Sequence, residues 1–255
     1  MSGTRRVALL VAYHGSAFHG YQRQPGFASV QAELEDAWMA ITGEQVVAHG
    51  SGRTDSGVHA WGQVAHVTTA STIPAEKLAH ALNTYLPDEA VVRAVADVEP
   101  TFHSCHSALA KRYLYRIAVG STRPVINRGQ VAWVRGELDL GAMQAGARHF
   151  LGEHDFSAFA AAGRSTSTSV RTLNSIHIWP QRGGLSLIVE GNGFLYKMVR
   201  NLVGSLIEVG RGRRHPDWLA SVLESRDRQL AGATASPDGL YLWRVRYHKD
   251  PFLCC

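Results

Sequence analysis

The order in which strand-like and helix-like segments alternate is the strongest constraint that this 255-residue chain places on its own fold. Val7–Tyr13 is an apolar, β-rich run that stops at His14-Gly15 and so reads as a strand. After a loop containing Pro25-Gly26, Val30, Leu34, Trp38 and Ile41 recur at helical spacing, with Ser29 placed as a cap and Gly43 as a stop. Val46–His49 and Gln63–Thr69 read as strands and Ala90–Val98 as an alternating strand. Between them Pro74–Tyr85 reads as a helix with Leu78, Leu82 and Tyr85 on one face. The order is β-α-β-β-α-β.

The second half repeats that order without repeating the sequence. Lys111–Val119 alternates as a strand, Leu140–Leu151 is helical, and Ser175–Trp179 and Leu185–Glu190 form a hairpin around Arg182-Gly183-Gly184. Val199, Leu202, Val203 and Leu206 stripe a helix that ends near Gly210. A further helix, Pro216–Ser225, precedes a last strand over Leu240–Tyr247. An α+β chain of two split β-α-β, ferredoxin-like subdomains, residues 1–103 and 104–255, accounts for the repetition.

Charge separates the two halves. Residues 1–103 carry 6 Lys+Arg against 10 Asp+Glu, and residues 104–255 carry 20 against 11. Arginine makes up 22 of the 26 basic residues, which suits bidentate phosphate binding, although a biased genome enriches arginine as well. The asymmetry therefore carries the argument, and it places a polyanion mainly against the second half. The basic turn Arg211-Gly212-Arg213-Arg214 and the polar run from Arg164 to Ser169, expected as a mobile surface loop, fit either phosphate contacts or a solvated surface. No apolar run approaches the roughly 18–20 residues of a spanning helix, and the opening residues lack a signal-peptide pattern. A cytoplasmic protein with no membrane partner is expected. Three cysteines are too few for a disulfide framework, and Cys254-Cys255 reads as a frayed tail.

Three segments concentrate residues that can carry chemistry. In Gly52-Arg53-Thr54-Asp55-Ser56-Gly57-Val58-His59, glycines permit tight backbone geometry, and Arg53 and Asp55 share a face in an extended segment. Arginine there would keep the carboxylate ionised and aimed, as a nucleophile requires; an Arg–Asp pair that merely closes a turn is the alternative. In Lys111-Arg112-Tyr113-Leu114-Tyr115-Arg116 the two tyrosines share one strand face, where Tyr113 could stack on a base or relay a proton and Tyr115 reads as an ordinary strand aromatic. Lys197, Arg200 and Asn201 fall on one side of the helix that follows Gly191-Asn192-Gly193, as phosphate contacts or as a solvated face. Thirteen histidines invite a metal reading, but no His-Glu-x-x-His or paired Cys-x-x-Cys is present, so no metal is expected. Neither a Walker A nor a G-x-G-x-x-G sequence occurs, which argues against a nucleotide cofactor.

Over nearly its whole length the chain resembles the tRNA pseudouridine synthase A family. The most specific match is Gly52-Arg53-Thr54-Asp55-Ser56-Gly57-Val58-His59-Ala60, which is similar to the family's catalytic loop. His19-Gly20-Tyr21-Gln22-Arg23-Gln24, Asn83 to Pro87, Lys111 to Tyr115, Gly152 to Phe159, Phe194 to Gly210 and Gly239-Leu240-Tyr241-Leu242 follow in order. The resemblance implies a pseudouridine synthase fold with an active-site cleft between two subdomains, a homodimer, and a tRNA substrate modified at uridines 38, 39 and 40 of the anticodon stem-loop. It implies Asp55 as nucleophile, Tyr113 in the uracil pocket, Arg200 as the basic partner of the aspartate, and Arg53 in the space left by the flipped base. The reaction exchanges one glycosidic bond for another without redox change or hydrolysis, so no cofactor is implied. Cys105 and His106 depart from the arginine and aromatic common in the family, which puts a phosphate contact there in doubt. A non-catalytic RNA-binding protein on the same scaffold, a hydrolase, and a synthase of different site preference stand as rivals.

Overall fold

The computed structural model describes residues 3–163 and 167–253. Cys254, Cys255 and the first three residues of the polar run at 164–169 lie outside the described residues. In chain order the elements are β1 (Arg5–Tyr13), α1 (Val30–Thr42), β2 (His49–Gly50), β3 (His59–Thr69), α2 (Ala75–Asn83), β4 (Ala90–Val98), β5 (Ala108–Gly120), β6 (Ala132–Arg135) and α3 (Leu140–Ala147). They continue with β7 (Gly152–Asp155), β8 (Val170–Gln181), β9 (Gly184–Gly191), α4 (Met198–Gly210), α5 (Trp218–Ser225) and β10 (Leu240–Tyr247). The chain is α+β, as its element order predicts. It forms two compact units, one made of residues up to Leu109 and from Tyr241 onward, the other of Ala110–Leu240.

The first unit realises the split β-α-β order. β4, β1, β3 and β2 lie side by side, every neighbouring pair antiparallel. Helix α1 starts where Ser29 accepts a hydrogen bond from the Ala32 amide and stops where Gly43 turns left-handed at φ +72°, returning its N–H to Met39. Alternate residues Val7, Leu9 and Val11 are buried, as are Leu34, Trp38, Leu78 and Leu82 of the helices. The expected strand at Val46–His49 shrinks to His49–Gly50, because side chains occupy the backbone groups that a longer ladder would use. Glu35 accepts from the Ala48 N–H at 3.1 Å, and the Tyr21 hydroxyl donates to the Ala48 carbonyl at 2.9 Å. β10, read from sequence as the end of the second half, pairs in parallel with β3 through Tyr241 opposite His59 and Leu242 opposite Ala60.

In the second unit β5, β9, β8 and β7 form an antiparallel series, and β6 runs parallel to the end of β5. The short strands β6 and β7 were not evident in the sequence; four residues are too few to show a period. The helix expected over Leu140–Leu151 ends at Ala147 and tightens into a single turn at Arg148–Phe150. α4 carries the core of this unit, with Met198, Leu202, Val203 and Leu206 fully enclosed. Among the described residues no helix is long and apolar enough to cross a membrane.

Candidate active site

The Gly52–Val58 segment links β2 to β3 in the first unit, and buried polar groups hold it from behind. Ser51, fully buried, donates to Gln63 Oε1 at 2.6 Å, and Gln63 Nε2 donates to the Gly52 carbonyl at 2.8 Å. Tyr13 shares a 2.8 Å hydrogen bond with the Thr54 hydroxyl. Burial pushes the Tyr13 phenol up to about 12, against the lowering effect of Thr54 and Gln63, so it stays a neutral partner.

From the other side the β1–α1 segment clasps the same loop. The Tyr21 N–H donates to the Thr54 carbonyl at 3.2 Å, and the Gly57 N–H donates to Phe18 at 3.4 Å. The Val58 N–H closes the turn onto the Asp55 carbonyl at 3.1 Å, with Gly57 at φ +80°. Thr54 and Val58 are thereby buried, while Asp55 is half-buried and Arg53 exposed. A carboxylate on a backbone pinned at both ends is pre-aimed, which is what a nucleophile needs and a surface turn does not.

Sequence reasoning missed the residues that do this pinning. Tyr13 and Gln63 lie on other strands and Ser51 just ahead of the motif, with no local signal of this role, while Tyr21 stood within the His19–Gln24 motif.

The other expected residues stand on the second unit. Tyr113 on β5 is buried, its ring edge-on to Phe194 with centroids 5.0 Å apart. Tyr115 is fully buried and donates to the Ser236 carbonyl at 2.7 Å, the packing role expected of it. On the opposite strand face Arg112 meets the buried Glu190 of β9 at 2.7 Å. Arg200 on α4 donates through Nε to the Ala235 carbonyl at 2.8 Å.

Its expected companions differ. Asn201 is fully buried, donating to the Phe159 carbonyl and accepting from Thr234 and Arg228, so it braces the fold rather than offering a polar face. Lys197 precedes α4 in a left-handed conformation at φ +58°, its ammonium 5.1 Å from the Tyr196 ring. In the basic turn, Arg211 and Arg213 pair with Glu208, and Arg214 lies over the Trp218 ring.

Histidines do gather in the first unit, away from the Asp55 loop. His49, His66, His103 and His106 have neighbouring ring centroids 4.2–6.0 Å apart. Two of the rings serve the fold: His66 Nδ1 accepts from the Ser104 N–H, and His103 Nδ1 accepts from the Cys105 and His106 amides. Among the described residues no group of three or more His, Cys, Asp or Glu is arranged to hold a metal.

Burial, then the nearby His103, His49 and Arg6, lowers His66 to about 4. The unfolded chain takes up a proton near pH 6.5 that the folded chain refuses until about 4. This contribution to stability is therefore complete above pH 6.5 and is lost as pH falls through that window. Urea unfolding is expected to show about 2–3 kcal/mol less stability from this group at pH 4.5 than at pH 7, with a flatter dependence in His66→Gln.

A family profile described as tRNA pseudouridine synthase matches residues 9–106 and 147–248. The chain belongs to that family. Arg53, Asp55 and Arg200 fall inside the matched stretches of this pseudouridine synthase, and Tyr113 falls between them. The tRNA pseudouridine synthase A of Shouchella clausii is 45% identical over 249 residues, covering 97% of this chain and 95% of that protein. Those of Geobacillus kaustophilus and Coxiella burnetii are 41% and 42% identical, covering 97% and 95% of this chain and 96% and 93% of theirs. Among solved structures, a Cbf5-Nop10-Gar1 complex aligns at TM-score 0.40 and 14% identity, over 92% of this chain and 48% of that one, too slight a likeness to bear on the fold.

Proposed function

We propose that this pseudouridine synthase isomerises uridine at positions 38, 39 and 40 of the tRNA anticodon stem-loop, with Asp55 as its nucleophile. One observation carries the assignment of Asp55: the carboxylate stands half-buried on a loop whose backbone is held by Tyr21, Phe18 and Gln63. The reaction breaks the bond from ribose C1′ to uracil N1, turns the base, and joins C1′ to C5; C5 loses a proton and N1 gains one. An ionised carboxylate serves this chemistry by attacking the sugar or by stabilising charge as the base departs. No electron leaves the substrate and no water is consumed, so the reading includes no cofactor and no metal.

Tyr113 is assigned to the uracil pocket as the acceptor, directly or through water, of the C5 proton. Arg200 is assigned as the basic partner of the aspartate, and Arg53 fills the gap left in the stem-loop by the flipped base. Extruding that base costs a few kcal/mol, which contacts to phosphate and stacking offset. The first unit carries the catalytic loop and the second, with most of the arginines, grips tRNA. A homodimer working in the cytoplasm completes the reading.

The deciding experiment maps pseudouridine in unmodified tRNA after incubation with the purified protein and no added cofactor. Conversion at 38, 39 and 40 is expected; conversion elsewhere, or none, overturns the assignment. For Tyr113→Phe, which keeps the ring against Phe194, an unchanged melting temperature with turnover lowered about 100-fold or more is expected. Unchanged turnover would reduce Tyr113 to packing.

A further inference from the structure

Between the two points at which the β1–α1 segment grips the catalytic loop stands His19. Phe18 accepts from the Gly57 N–H at 3.4 Å and the Ser56 hydroxyl at 3.5 Å, and Tyr21 donates to Thr54. Gly20 approaches so closely that a Cβ there would lie 2.5 Å from the Thr54 carbonyl oxygen and 3.3 Å from the Asp55 carbonyl carbon. Phe18 and Tyr21 are buried, so the chain turns the His19 ring outward, and it is exposed.

Phe27 returns over it. The two ring centroids are 4.5 Å apart at 44°, and Phe27 is 52% exposed. Hydrogen bonds fix the pair: His19 N–H to the Ala28 carbonyl at 2.9 Å, Phe27 N–H to the Gln24 carbonyl at 3.3 Å, and the Gln24 side-chain Nε2 to the His19 carbonyl at 3.1 Å, with Gly26 at φ +78° allowing the turn. Arg23, the nearest cation of this segment, is already committed to Glu35 and Asp36 at 2.7 and 2.6 Å. The segment thus offers the solvent beside Asp55 two aromatic rings and no spare charge of its own.

We propose that His19 and Phe27 form an aromatic step on which a base of the RNA stacks, a base adjacent to the uridine whose sugar faces Asp55. The inference rests on the proposed function. Flipping a uridine strips each of its two neighbours of a stacking partner; where Arg53 fills the gap against one, an aromatic ring fixed in advance serves the other. Stacking also tolerates any base, since each has a π-face. An enzyme that serves three consecutive positions meets different neighbours at each, and a contact that reads no base edge suits all of them.

The test uses an anticodon stem-loop with 2-aminopurine next to the target uridine, with the full-length protein and its Phe27→Ala, His19→Ala and Phe27→Trp variants. Stacking quenches 2-aminopurine, so binding to the parent and to Phe27→Trp should darken the probe, whereas Phe27→Ala should leave it bright. Phe27→Ala and His19→Ala should lower kcat/KM for pseudouridine formation roughly 5- to 150-fold, the range of one base–aromatic stack, while melting temperatures stay near the parent's. If both alanine variants stay within twofold of the parent in kcat/KM and quench the probe equally, the step does not exist. If the parent forms no pseudouridine, the functional reading fails instead, and the quenching comparison still decides whether a base stacks on Phe27.

Discussion

Asp55→Asn is expected to fold, to bind tRNA within a few fold of the parent, and to form pseudouridine at least about a thousandfold more slowly, some 4 kcal/mol of barrier. The amide has the size and planarity of the carboxylate and leaves in place the bonds described above that hold the loop. Those bonds run through the Thr54 hydroxyl and carbonyl, the Gly52 and Asp55 carbonyls and the Gly57 amide, none of which the substitution touches. What disappears is the negative charge, and with it the lone-pair basicity that, on the proposed mechanism, either attacks the sugar or steadies the departing base. Single-turnover conversion, fluorescence binding and a melting curve on the same preparation separate the three effects. Conversion at the parental rate would remove Asp55 from the chemistry and return Arg53-Thr54-Asp55 to an ordinary turn.

Gly20→Ala is expected to lower turnover about 100-fold without touching a reacting group. At φ +98° an alanine is strained, and its Cβ would sit 2.5 Å from the Thr54 carbonyl oxygen, well inside contact distance. Backbone meets backbone there, so no side chain can swing aside. The Asp55 loop must shift, and a displacement near 1 Å of a positioned reacting group costs about two orders of magnitude in rate. Gly43→Ala is the matching control: it has similar strain at φ +72° but nothing within 4 Å, and it closes α1 rather than the loop. Both variants should lose about 1–3 kcal/mol of stability, and only Gly20→Ala should lose turnover. Equal turnover in the two would mean that the Gly20 contact does not position Asp55.

Much of the fold was legible in the residues. The cap at Ser29, the stop at Gly43, and the bounds of β4 and β10 follow from interactions within a few positions, and the structure places them where the periodicity does. The β-α-β-β-α-β order of the first unit was legible for the same reason. The segment around Asp55 was legible as a motif, with its glycines and its Arg–Asp spacing, and the family it points to is the one to which the chain belongs.

Tertiary structure decided what no local pattern encodes. Val46–His49 has strand composition, yet Glu35 and Tyr21 take the backbone groups of Ala48 and end the strand early. Asn201 has the polarity of a helix surface, yet Phe159, Arg228 and Thr234 draw it fully inside. Leu240 and Leu242 alternate as any half-buried strand would, with Val245 buried out of phase, and only tertiary pairing, with β3, places β10 from Tyr241 onward in the first unit. At the opening order of elements, then, the chain alone determined for the longer segments which are helix and which are strand, because caps and periods act over one or two turns. Which partner each segment met, and so how Tyr13, Gln63 and Gly20 hold the loop of Asp55, was decided by packing between residues roughly ten to fifty positions apart, where sequence spacing carries no geometric information.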